Sequence, residues 1–156
     1  MSHNITQTVE KAARALVLAN LPEWLPETQV YRGIENRESE DMEGQESSLK
    51  VRPCVILVCQ TAAAVAPNWR GLWDATLEVH VENRRSDTTG DTHRGRAQEV
   101  FDIFLTTEAP ADLSGAIPDF IVRAVVPNDQ SHTQAGRGWL SSITFTLHQV
   151  AERTYA

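Results

Sequence analysis

The chain has 156 residues, with 21 Asp and Glu against 14 Lys and Arg, a formal net charge of -7 and a pI near 5.2. That length suits one domain whose core needs neither disulfide nor metal, and the acidic balance argues against a nucleic-acid-binding role, which needs clustered Lys and Arg, while favouring solubility or repulsion of DNA. No basic segment followed by an apolar run opens the chain, and the longest apolar stretch, Cys54 to Cys59, is too short to span a bilayer, so neither secretion nor membrane insertion is expected.

From Ile5 to Asn20 the apolar residues Ile5, Val9, Ala12, Ala13, Leu16 and Ala19 recur at steps of three and four. That spacing predicts an amphipathic helix, ended by Pro22 and Pro26. Gln29 to Ile34 reads as a short strand. Residues Glu35 to Glu46 then carry Glu35, Glu38, Glu40, Asp41, Glu43 and Glu46 against the single base Arg37. With almost nothing apolar, such a segment buries too little surface to offset its ordering entropy, so a long acidic loop or mobile arm is expected over about 35–49. Deleting Glu38 to Gln45 is expected to spare folding and impair assembly, since Met42 is the lone apolar side chain there.

Val51 to Gln60 is a nearly continuous apolar run, with Val55, Ile56, Leu57 and Val58 too β-branched and too short for an independent helix, and it predicts a central strand buried on both faces. Cys54 and Cys59, five apart on that strand, fall on opposite faces roughly 16 Å apart, which excludes a mutual disulfide. They read as small core residues of a reduced, cytoplasmic protein. Leu72 to Glu82 alternates, with Trp73, Ala75, Leu77, Val79 and Val81 on one face and Thr76, Glu78, His80 and Glu82 on the other. This is the pattern of a half-solvated strand.

A polar loop from Arg84 to Gly90 leads to a second helix, capped by Asp91 or Thr92, with Ala97, Val100, Phe101, Phe104 and Leu105 as its stripe. Thr106, Thr107 and Pro110 end it. A turn at Asp112 to Pro118, a strand from Phe120 to Val126 stopped by Pro127, and a polar segment from Asn128 to Gly138 follow. The last strand, Trp139 to Val150, turns Trp139, Ile143, Phe145 and Leu147 inward. Together these elements predict one α+β domain over residues 1–156: an antiparallel sheet of about four to five strands with two amphipathic helices on one face and a long acidic loop.

Catalytic chemistry finds no support in the residue pattern. His3, His80, His93, His132 and His148 lack metal-ligand spacing, although His80 and His148 fall on the solvent faces of two strands that are candidates to be neighbours. Asp87, Asp91 and His93 crowd the start of the second helix, where capping accounts for the acids. Ser141 and Ser142 lie in a strand without a nucleophile-elbow frame. Gly136, Arg137 and Gly138 precede a strand rather than the helix that a phosphate loop requires. No catalytic residue, metal or cofactor is therefore expected.

Surface chemistry is more informative. Arg84, Arg85, Arg94 and Arg96 form a basic cluster without interleaved aromatics, suited to pairing with acidic loops of a neighbouring subunit. Trp69, beside Arg70, is a candidate partner anchor, because Trp and Arg dominate interface hot spots. The contact residues expected from the sequence are Glu38, Glu40, Asp41, Glu43, Trp69, Arg70, Arg84, Arg85 and Arg94.

The N-terminal helix, the strand Leu72-Trp73-Asp74-Ala75-Thr76-Leu77-Glu78-Val79-His80-Val81, the helix Arg96 to Leu105 and the closing Gly138-Trp139-Leu140-Ser141-Ser142-Ile143-Thr144-Phe145 occur in an order that resembles the neck and tail-completion proteins of long-tailed bacteriophages, the tail-terminator group above all. The resemblance covers the order of elements across nearly the whole chain. It implies a non-enzymatic virion protein, assembled in the host cytoplasm into a homo-oligomeric ring, usually six-fold, that meets the tail-tube protein and the head-tail connector. DNA would pass through without specific binding. The long Glu-rich insertion departs from the family pattern. Two alternatives stand beside this one: a tail-tube or minor tail subunit, and a small metal- or ligand-binding enzyme domain built around His80, His148 and the Asp87 to His93 loop.

Overall fold

The computed structural model describes residues 4–36, 51–65, 71–86, 88–135 and 138–152. Helix α1 spans Ile5–Ala19 and starts where the Asn4 side chain accepts a hydrogen bond from the Thr6 N–H, the usual repair of an orphan donor in the first turn. Strand β1 (Val30–Arg32) pairs parallel to β2 (Cys54–Ala64), and β2 runs antiparallel to β3 (Trp73–Arg84). Helices α2 (Gly90–Leu105) and α3 (Ala109–Ala116) precede a two-residue β4 (Phe120–Ile121) and the long hairpin of β5 (Ala124–Ala135) with β6 (Gly138–Glu152). The sheet order is β1-β2-β3-β6, with β5 along the outer side of β6 and β4 pairing its last residues.

The fold is α+β with a mixed, mostly antiparallel sheet of six strands. Its main core lies between one sheet face and the helices. Val55, Leu57 and Cys59 of β2, Leu77, Val79 and Val81 of β3, and Ile143, Phe145 and Leu147 of β6 meet Val9, Ala13 and Leu16 of α1 and Phe101 and Phe104 of α2. Phe104 packs against Phe145 with ring centroids 5.6 Å apart. A smaller cluster of Cys54, Ile56 and Val58, with Tyr31, occupies the opposite face. The β2 run is thus buried on both faces and its two cysteines are separated by the sheet, as the alternation predicts.

Several features differ from the sequence expectation, among them the parallel pairing of β1 with β2 in a sheet expected to be antiparallel. The stretch read as a turn at Asp112 to Pro118 is mostly α3, with Pro at its start and Leu113 as its buried anchor. Its two buried positions, Ala109 and Leu113, are too few to give a periodicity to read. Strand β5 passes through Pro127 instead of stopping there, and the stretch read as polar loop is its outer half. From Val126 to Gln134 nearly every side chain is exposed, so no burial pattern marks the strand. Its position at the sheet edge tolerates the proline, next to a register shift between Pro127 and Gln130. In α2 the cap is Thr89, whose hydroxyl accepts the Thr92 N–H, rather than Asp91 or Thr92.

Candidate functional site

The turn joining β3 to α2 is held by local hydrogen bonds. The Arg84 carbonyl accepts from both the Thr88 amide and the Thr88 hydroxyl, the latter at 2.7 Å. The Thr88 carbonyl in turn accepts from the Trp139 indole N–H at 3.1 Å. These contacts bring Arg84 and Arg85, both exposed, beside the start of α2 and the first residues of β6. The Arg85 guanidinium lies 5.5 Å from the centre of the Trp139 ring, within cation–π range. Arg94 stands exposed in α2, and the half-buried Arg96 lies 5.3 Å from the Trp24 ring, whose N–H donates to Glu99. Among the described residues, Arg84, Arg85 and Arg94 form no ion pair.

Behind this surface runs a hydrogen-bonded chain whose direction is set by the donor at each end. Arg96 can only donate, and its Nη1 gives a bond of 2.9 Å to Asn83 Oδ1. The Asn83 Nδ2 then faces His93 Nδ1 at 2.8 Å as a donor, so His93 carries its proton on Nε2, 2.7 Å from Ser141 Oγ. On the far side of His132 the Gln130 amide nitrogen faces Nε2 at 3.2 Å as a donor, so His132 carries its proton on Nδ1 and donates it to Ser141 Oγ at 2.5 Å. His93 and Ser141 are 1% and 0% exposed. Burial, helped by the charges of His132, Arg94 and Arg96, pushes the His93 pKa down to about 4. His132 is also lowered, by burial and by Arg94. Protonating His93 would set a second N–H against the Asn83 amide, so the neutral ring belongs to this geometry. Ser141 is shut off from solvent, and its oxygen accepts from both histidines.

A cavity of about 270 Å³ opens between the start of α2 and the β5–β6 hairpin, lined by Asp91, His93, Arg94, His132 and Trp139 among others. Sequence reasoning missed this grouping, yet a signal for it existed. Asn83 and Ser141 continue the inward parity of β3 and β6, and His93 lies four residues before Ala97 on the buried stripe of α2. Three polar residues intruding on three apolar stripes at one end of the sheet mark a place where they meet.

The pairing of His80 with His148 does not form. His80 lies opposite Ser142, and His148 is six residues further along β6, roughly 20 Å away at the usual strand rise. His80 is moreover buried and contacts Glu78, while His148 contacts Asp74. Among the described residues no group of three or more His, Cys, Asp or Glu could hold a metal ion, and no helix is long and apolar enough to cross a membrane. Of the expected contact residues, Arg84, Arg85 and Arg94 come together at one end of α2. Glu38, Glu40, Asp41, Glu43, Trp69 and Arg70 lie outside the described residues, as do Asp87 and most of the acidic segment over 35–49.

Charge reverses along α2. Beyond Arg96 come Glu99 and Asp102, then Glu108, Asp112 and Asp119, with no Lys or Arg before Arg123. All five acids are exposed. Asp91 complements the positive N-terminal end of the helix, but Arg94 follows it, Asp102 sits in the last turn, and no base is present there. Charges placed against the dipole cost about 0.3–1 kcal/mol each, so this order does not serve helix stability. No protein-family model matches the chain, and no curated protein matches it.

Proposed function

We propose that the chain is a virion structural protein of a long-tailed bacteriophage, a tail terminator that acts without catalysis in a six-membered ring capping the tail tube and joining it to the head connector. The observation that carries this reading is the charge order of α2, basic at one end and acidic at the other against the helix dipole. A closed ring is built from head-to-tail contacts, each joining two different and complementary patches, and the order of elements resembles the tail-terminator group. The net negative charge suits a channel through which DNA passes without sticking. Negative-stain imaging of the purified protein mixed with isolated tail tubes tests the reading. Rings seated on tube ends are expected; a strict monomer that leaves the tubes bare would contradict it, and filaments of the protein alone would favour a tube subunit instead.

A second reading has its own observation, the cavity beside His93 and His132. It makes the chain a small ligand-binding domain, with the site moved from His80 and His148 to the start of α2. If that reading holds, the protein forms no ring on tail tubes, and His132→Ala combined with Arg94→Ala abolishes ligand binding without unfolding the chain.

A further inference from the structure

The ring reading leaves open which surfaces meet, and the inference here rests on that reading. On α2 (Gly90–Leu105) Arg94 and Asp102 lie about 12 Å apart along the helix axis. That is beyond the Debye length of about 8 Å at physiological ionic strength, so the attraction between these exposed charges within one copy is weakened by screening. Arg84, Arg85 and Arg94 form no ion pair among the described residues, and neither do Glu108 and Asp112. Both sets of charges are exposed and opposite in sign, and neither has a charged partner among the described residues. At the basic end the cavity of about 270 Å³ beside Trp139 has room for one or two side chains, with Arg94 on its lining and Arg85 over the indole. Among the described residues Asp91 is the one acid on that lining, and it restricts where an incoming carboxylate can sit.

We propose that the acidic end of α2 and the start of α3 in one copy, carrying Asp102, Glu108 and Asp112, dock on Arg85 and Arg94 of the next copy, with a carboxylate entering the cavity beside Trp139. The two patches differ and lie at opposite ends of one rigid helix. The contact is therefore heterologous, and each copy offers one of each patch, as a ring requires. Because the attraction is between exposed charges, it sets orientation and association rate and weakens with salt.

Charge reversal tests this on the full chain. One variant carries Arg85→Glu with Arg94→Glu, and the other carries Glu108→Lys with Asp112→Lys; all four positions are exposed, and thermal melts check that each variant folds like wild type. Oligomer mass is measured alone and on tail tubes. Each variant by itself is expected to lose assembly at least tenfold, since like charges then face each other across every contact. An equimolar mixture is expected to regain it, because alternating copies restore opposite charges at both kinds of junction, and a single chain with all four substitutions is expected to regain it too. Variants that assemble like wild type, or a loss that neither the mixture nor the quadruple variant rescues, overturn the pairing while the ring stands. Wild-type protein that never assembles, alone or on tubes, overturns the ring reading itself.

Discussion

Glu10 is a charged residue on the buried stripe of α1, 7% exposed, and its task is specific. Strand β2 carries a register shift against β3 between Val58 and Thr61, and the Cys59 N–H beside it donates to Glu10 Oε2 at 2.9 Å. Arg32 approaches the other oxygen at 3.4 Å. Glu10→Ala leaves that amide buried without an acceptor and is expected to cost about 1–3 kcal/mol in urea unfolding. Glu10→Gln keeps an acceptor without burying a charge and is expected to stay within about 1 kcal/mol of wild type. Burial holds the Glu10 carboxyl above its usual range, so the native state keeps its proton longer than the unfolded one. This group therefore subtracts stability as pH rises from its unfolded value, and Glu10→Gln should remove that component. His93 works with the opposite sign. Its pKa of about 4 means the folded chain refuses a proton that the unfolded chain accepts below about 6.5, so stability falls as pH drops through that window and levels off beneath it. NMR titration checks the cause: the His93 ring is expected to stay neutral down to about pH 5, and a midpoint near 6.5 would break the hydrogen-bond chain assigned to it. The sequence showed Glu10, Asn83, His93 and Ser141 as polar residues on apolar stripes, but which polar group each one meets depends on the sheet register and the packing of α2, which no local pattern encodes.

Elements were legible wherever burial imposes a period. Strands β2, β3 and β6 and helices α1 and α2 each turn a stripe toward the core; on β3 the inward positions Ala75, Leu77, Val79 and Val81 enter it, while Trp73 is half-buried outside it and His80 and Glu82, expected on a solvated face, are buried. The parallel pairing of β1 with β2 was not legible, because three residues of strand carry no direction. Neither was α3, with Leu113 and Ala109 as its buried residues, nor the outer half of β5, which lies at an edge with solvent on both faces. That edge position makes a prediction. In hydrogen exchange on the unassembled protein, amides of β3 and β6 are expected to be slowest, since both strands are paired on each side. Amides of β5 pointing away from β6 are expected to be among the fastest. Uniform protection along β5 would show that another chain covers the edge before assembly.

At the scale of the whole molecule, the acidic composition resolves into a pattern among the described residues: arginines gather at the turn into α2, and five carboxylates with no intervening base follow from Glu99 to Asp119. The sequence predicted a separation of charge but paired the arginines with the segment over 35–46, which lies outside the described residues. The second acidic run went unremarked because its acids are spaced among apolar positions of α2 and α3. If contacts between copies use these ends, assembly should weaken steeply as salt rises from about 50 to about 500 mM, a range over which the Debye length shortens about threefold. An assembly held by apolar burial would instead be unchanged or strengthened, so light scattering across that range separates the two. The most direct measurement of the central claim is the native mass of the protein, alone and after release from tail tubes. A single closed stoichiometry, six copies and no ladder above it, is the predicted result; a monomer under both conditions would contradict the account.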